Sequence, residues 1–244
     1  MEISLAAEPI FKIGSFIVTN ALLTSWIVVA ILCLFAWRIN KKLEKIPGKM
    51  QSVLEEVFEW VINMIKSLVH SRKKAKMLFP ILITFFIFIM ISNWFGLMPG
   101  IGPIGVWQEH NGEQVLVPLF RGTNADLNAT LAWAIISVVA GHIFGIIFIG
   151  GIKYGKRYFN LKNPIMGFVG FLEIIGEFAK MVSFSFRLYG NIFAGEVLLI
   201  VIAVLVPYIA PLPFYFLEIF VGFIQALVFT MLSMVFYSIA VSEH

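Results

Sequence analysis

Apolar runs of about twenty residues or more recur along this chain, with only short and mostly basic connectors between them. Each is long enough to cross a hydrocarbon core of roughly 30 Å at about 1.5 Å per residue. No water-soluble fold can bury so many. Of 244 residues 60% are hydrophobic and only 13% charged, and the mean hydropathy is +0.93, which leaves too little polar surface to coat a globule. The chain is expected to be an all-α integral membrane protein, a single membrane domain over residues 1–244. The net charge of +4 and pI near 9.2 do not argue for nucleic acid, because Lys and Arg cluster beside the apolar runs, as topology signals do. Cys33 stands alone in an apolar run, so no disulfide or Cys-based metal site is available.

The first run, residues 15–37, follows Glu2 and Glu8 rather than a basic segment and no small-residue cleavage site follows it, which makes it a membrane span and not a signal peptide. RINKKLEKIPGK then puts five Lys or Arg on its carboxyl side, so that end is expected in the cytoplasm and the amino terminus outside. Residues 50–70 read differently: Val53, Val57, Trp60, Val61, Met64, Ile65 and Leu68 recur at helical spacing, with Glu55, Glu56, Glu59, Asn63 and Lys66 around the rest of the circumference. An amphipathic helix at the inner membrane surface is expected, the alternative being a helix packed on a soluble partner. RKKAK precedes a second crossing, 78–98. The connector up to Leu127 holds Glu109, Glu113 and Asp126 with Arg121 as its one cation, which suits the outside.

A third crossing, 128–150, ends at the basic loop KYGKRYFNLKN. Asn163 and Pro164 make a helix start, and helical patterning then runs to about 206. About 43 residues would span roughly 60 Å if straight, about twice the hydrocarbon thickness. That helix must be steeply tilted, partly interfacial, or broken near Gly190 or Gly195. PYIAPLP reverses the chain, and 214–241 brings the carboxyl terminus to the cytoplasm. The expected architecture is five transmembrane helices plus one amphipathic surface helix, without internal repeats.

Ionisable residues at bilayer depth cost several kcal/mol, so each is a functional candidate. Glu173, Glu177 and Lys180 lie near the basic loop, where snorkelling or pairing accounts for them equally well; Glu177 and Lys180 stand three apart and can pair. Arg187 lies deeper and keeps its proton at any ordinary pH, so it needs a counter-charge or water. Lys180, Ser183, Arg187, Asn191 and Ala194 recur at steps of three and four, one polar and small stripe aimed at a partner or a wet cavity. Glu196, nine residues after Arg187, points about 180° away and lies roughly 13 Å further along, so the two should not pair. On the last helix Glu218 and Gln225 share a face, with Gly222 between them where another helix can approach. In a hairpin through PYIAPLP, Glu196 and Glu218 come to similar depth and Gln225 falls nearer Arg187. Two acids at one level resist joint ionisation, as a proton relay or as a shared-proton staple. His142, beside Gly141 in the third crossing, has no partner legible in the sequence and reads as structural or cavity-lining.

RLYGNIFAGE, followed by FIQALVF in the next helix and by the terminal SEH, resembles the a subunit of the F-type ATP synthase membrane sector, of bacterial type. The likeness extends over nearly the whole chain, through the surface helix, SNWFGLMPG and ADLNAT. It implies a stator whose last two long tilted helices form a hairpin against a rotor ring of c subunits, each carrying one membrane carboxylate. Arg187 matches the essential Arg that meets that carboxylate. Glu196, Glu218, Asn191 and Gln225 match positions associated with two aqueous half-channels and the surroundings of the Arg. Asp126 and Asn128 match the polar start of the third crossing, and Ser183, Lys180 and Glu173 match positions toward the cytoplasmic exit. One departure is that some relatives carry His at the Glu218 position. The resemblance further implies peripheral-stalk b subunits and the rest of the synthase as partners, a bacterial plasma-membrane location, no cofactor or metal, and no enzymatic activity of the chain by itself. A self-contained ion channel or secondary transporter is the competing reading; a membrane enzyme lacks any HExxH, GxSxG or paired-Cys motif.

Overall fold

The computed structural model describes residues 7–41, 43–44, 47–98, 104–110, 113–158, 164–207 and 209–242. Strands β1 (Pro9–Ile13) and β2 (Phe16–Thr19) lead into helix α1 (Asn20–Asn40). Helices α2 (Lys49–Val69) and α3 (Arg72–Gly96) follow, then strands β3 (Gly105–His110) and β4 (Glu113–Pro118), a 3-10 turn at Thr123–Ala125, and helices α4 (Leu127–Ile149), α5 (Gly151–Tyr158), α6 (Pro164–Leu205) and α7 (Pro211–Val241). Among the described residues five helices, α1, α3, α4, α6 and α7, are long and apolar enough to cross a membrane. Only helices keep every backbone group of a lone segment satisfied in lipid, and the chain is a helical multi-pass membrane protein.

Several boundaries differ from the hydropathy reading, each for a local reason. α1 begins at Asn20 rather than at 15, because residues 16–19 pair with 9–13 in an antiparallel hairpin and the Thr19 side chain accepts the Leu22 N–H. α3 begins at Arg72, where the Ser71 carbonyl already accepts the Ala75 N–H; the basic residues are helical although they are not apolar. β3 and β4 occupy part of what reads as an irregular connector. α6 is continuous over 42 residues, so of the three alternatives for so long a helix the break near Gly190 or Gly195 does not occur. The expected cap at Asn163 lies outside the described residues.

By internal contacts the chain divides into two units. The first comprises Met1–Lys41, Phe86–Thr130 and Phe186–Leu227. Its two hairpins are tied by Asn20, a fully buried amide. The Asn20 Oδ1 accepts the Glu8 and Ala21 N–H groups at 3.2 and 2.9 Å, and Nδ2 donates to the Pro118 carbonyl at 3.4 Å. Thr24, one turn on, accepts the Arg121 N–H at 3.2 Å and donates to the Asn20 carbonyl. The rest of α1 leaves Trp26, Ile31, Leu34, Phe35 and Trp37 exposed, as a lipid-facing helix does.

The second unit comprises Lys42–Phe85, Leu131–Ser185 and Val228–His244. Ile65 of α2, Leu78 and Leu82 of α3, Ala140 of α4, and Met234 and Tyr237 of α7 form its core. α2 turns its Ile65 and Val61 stripe onto that core, with Phe58 edge-on to Phe79 at 5.3 Å, and ends at His70 in the left-handed conformation (φ 53°). Its Val53, Val57, Trp60 and Leu68 stay exposed. α4 and α7 are joined by small residues and hydroxyls. Ser137 and Ser233, both buried, are bonded at 2.8 Å, and the Tyr237 hydroxyl donates to Ser137 at 3.4 Å. Such interhelical bonds contribute on the order of 0.6–2 kcal/mol each within a bilayer, where apolar contact alone discriminates little from lipid.

Candidate functional site

α6 buries one face and leaves another uncovered. In the first unit Leu188, Ile192 and Gly195 are buried, while Arg187, Asn191 and Ala194 are exposed. In the second, Phe184 and Ser185 are buried and Ser183 is exposed. The polar stripe is thus the side that this chain leaves open, apart from Lys180, which is half-buried and turned elsewhere.

In the first unit the counter-charge of Glu196 is Arg121. The Arg121 Nε lies 3.6 Å from Glu196 Oε2, with the two side chains 10% and 27% exposed. The Gly122 N–H also donates to the same carboxylate, and the guanidinium lies 5.9 Å over the Phe193 ring. A pair so far removed from water stabilises little in net terms, but losing one member strands the other. The sequence shows Arg121 only as the lone cation of a connector; that it directly precedes a buried run, Gly122–Asp126, emerges from the structure.

Glu218 is buried, and its carboxylate rests on the backbone of Gly195, where a Cβ would overlap it. The close approach expected at Gly222 is made by α3: Asn93 donates to the Gly222 carbonyl at 2.9 Å and Trp94 Nε1 to the Ile219 carbonyl at 3.0 Å. Asn93 in turn accepts from Asn124 Nδ2 at 2.7 Å. In the same unit the buried Ser92 Oγ, Thr123 Oγ1 and Asn124 Oδ1 have no hydrogen-bond partner. Asp126 Oδ1 accepts both the backbone and the side-chain N–H of Asn128, at 3.0 and 3.2 Å, and so caps the start of α4. Gln225 is half-buried on α7.

The second unit gathers the other candidates. Lys180 Nζ donates to Glu177 Oε1 at 2.7 Å, the i,i+3 pair expected from spacing, and lies 4.7 Å over the Phe236 ring. His142 gains the partners the sequence could not name: Nδ1 is 2.8 Å from the Tyr154 hydroxyl and Nε2 is 3.8 Å from Glu177 Oε2. Glu173 is half-buried one turn before Glu177.

Comparison with known proteins agrees with the resemblance. The ATP synthase A chain family matches residues 22–238. The ATP synthase subunit a of Geotalea daltonii is 31% identical over 217 residues, covering 89% of this chain and 85% of its own length. That of Syntrophobacter fumaroxidans is 32% identical over 232 residues (95% and 87%), and the chloroplastic subunit a of Stigeoclonium helveticum is 34% identical over 244 residues (100% and 93%). A match of this extent, on a chain with five membrane-crossing helices, assigns it to a family: this chain belongs to the ATP synthase A chain family, the a subunits of the F-type ATP synthase.

Proposed function

We propose that this chain is the stator that carries protons across a bacterial plasma membrane through two aqueous half-channels, with Arg187 coupling that flow to rotation of a ring of c subunits. The observation that carries the reading is the open face of α6, where Arg187, Asn191 and Ala194 are exposed on a membrane helix. A guanidinium cannot be deprotonated and is costly to leave in lipid. A rotor carboxylate passing that face would meet a fixed cation, lose its proton there, and be barred from exchanging it straight across. Peripheral-stalk b subunits would hold the chain against rotation, with the amino terminus outside and the carboxyl terminus in the cytoplasm.

The outer path would use Glu218 and Glu196, with Gln225 and Asn191 toward the Arg. Its water would be held by the Asn93–Asn124 pair and by the partnerless oxygens of Ser92 and Thr123, each of which costs about 1–3 kcal/mol if left dry. Asp126 and Asn128 shape the α4 start beside it in the chain. Because Arg121 answers the Glu196 charge, Glu218 is the acid of the two better suited to shuttle a proton. Toward the cytoplasm the path would use Ser183, Lys180 and Glu173. A proton-motive force of about 200 mV supplies roughly 4.6 kcal/mol per charge, so several transfers are needed for each ATP.

The test is Arg187→Ala in the assembled complex, reconstituted into vesicles. ATP-driven proton uptake and proton-driven ATP synthesis are expected to fall to background while the subunits still co-purify; normal coupling would overturn the mechanism. Arg187→Lys, which keeps the charge but not the planar fork, separates charge from geometry. A self-contained channel would instead conduct from this chain alone.

A further inference from the structure

We propose that His142, on α4, is a proton-transfer residue of the cytoplasmic path, working with Glu177 across a small wet cavity in the second unit, and that Tyr154 positions it. The inference rests on the stator reading above and adds to it a residue and a compartment.

The cavity, of about 30 Å³, is lined by Ser137, His142, Tyr154, Glu177, Lys180 and Tyr237 among others. A water needs on the order of 10–15 Å³ and two to four polar partners. There is room for about two, with a carboxylate, an ammonium, an imidazole and three hydroxyls to hold them. At 3.8 Å, His142 Nε2 and Glu177 Oε2 stand beyond hydrogen-bond distance, a gap that a bridging water closes.

The site is built by several local features acting together. Gly150 takes φ +94°, a conformation that L side chains rarely adopt, and its N–H donates to the Ile146 carbonyl. That turn ends α4 and starts α5 in a new direction, with the Tyr154 N–H donating to the Gly150 carbonyl. Tyr154 thereby lies over Gly145, where any Cβ would run into its ring. One turn before Gly145, a Cβ at Gly141 would stand 3.2 Å from the Tyr237 ring. Two glycines on one face of α4 thus admit the two tyrosine rings that flank His142.

The chemistry follows from the tautomer. In the tautomer that carries its proton on Nδ1, that N–H donates to the Tyr154 oxygen 2.8 Å away, and Nε2 presents its lone pair to the cavity. A water there, polarised by Glu177, passes a proton: an O–H bond breaks as the Nε2–H bond forms. The water regains a proton from the Glu177 carboxyl when that group has received one. The imidazolium then returns its Nε2 proton to the cytoplasmic side, and the ring is neutral again. The groups that face His142 are Tyr154 of α5, Glu177 and Lys180 of α6, and Ser137 and Tyr237 of α4 and α7. Lys180, bonded to Glu177 at 2.7 Å, keeps the cavity from holding net negative charge.

The experiment uses the whole complex in vesicles and measures proton flux through the membrane sector against the pH of the cytoplasmic side. His142→Gln keeps a polar side chain without a basic nitrogen; it is expected to lower flux by about 3- to 10-fold and to flatten its dependence on the pH of the cytoplasmic side. Tyr154→Phe removes only the positioning oxygen; it is expected to displace the profile along the pH axis with a smaller loss. Wild-type flux and profile in His142→Gln overturn the proposal. If that variant does not assemble, an unchanged profile in Tyr154→Phe overturns it. Arg187→Ala, measured beside them, separates the two readings: if it remains coupled, the stator mechanism fails, whereas if it is uncoupled and both cavity variants behave as wild type, only the His142 role fails.

Discussion

A side chain at Gly195 would occupy the volume that the Glu218 carboxylate fills. Because a carboxylate is the mobile end of a flexible side chain, Gly195→Ala is expected to displace the acid rather than unfold the helix. It should cost about 1–3 kcal/mol at most but depress proton flux strongly. The double variant Gly195→Ala with Glu218→Asp shortens the acid by one methylene and should recover part of that flux; a double variant no better than the single one would count against this contact. Arg121→Gln removes the cation from a mostly desolvated pair and should destabilise the complex by about 1–3 kcal/mol, less than a fully buried pair because Glu196 is 27% exposed. Pairing it with Glu196→Gln should return much of that loss in a thermal-melt double-mutant cycle. Helical arithmetic alone separates Arg187 from Glu196, since nine residues turn about 180°. It cannot find Arg121, because that contact closes through a loop and leaves no periodic trace.

At the level of elements, hydropathy marks where a helix becomes apolar and not where its hydrogen bonds begin. That is why α3 starts at Arg72 and why α5, rich in Lys and Gly, passes for a loop. The β3–β4 hairpin did leave a trace: Asn111-Gly112 stands between the two strands in sequence, a dipeptide suited to a two-residue hairpin turn. The amphipathic pattern of 50–70 is legible because one helix face meets a core, yet only part of that apolar set is used. Ile65 and Val61 pack inward while Val53, Val57 and Trp60 remain exposed. Gly150 holds the α4–α5 turn at a positive φ. Gly150→Ala should cost about 1–2 kcal/mol for the left-handed conformation and loosen Tyr154 from His142. The pH profile of flux should then shift in the direction seen for Tyr154→Phe, and opposite shifts would show that the turn does not act through that tyrosine.

For the molecule as a whole the proposed orientation rests on where its cations lie. Lys and Arg are concentrated in 38–49, 72–76 and 153–162, whereas the 97–127 connector carries Arg121 as its single cation and the α6–α7 turn carries none. Moving one positive charge outward against a membrane potential costs about 2.3 kcal/mol per 100 mV. In the proposed orientation, with the amino terminus outside, these clusters lie inside and residues near Ser15 and Ile104 outside. Lys12, in the first hairpin, and Arg121 are cations among the described residues of the proposed outer side, and Lys12 is outweighed by the five cations of 38–49. The test starts from Cys33→Ser, so that each introduced thiol is the one cysteine of the chain. Single cysteines are then placed at the exposed positions Ser15, Ile104, Lys153 and Ser242. A membrane-impermeant maleimide applied to intact cells should modify Ser15→Cys and Ile104→Cys at once, and Lys153→Cys and Ser242→Cys only after the inner face is opened. The reverse pattern would invert the orientation and, with it, the assignment of Glu218 to the outer path and of His142 to the cytoplasmic one.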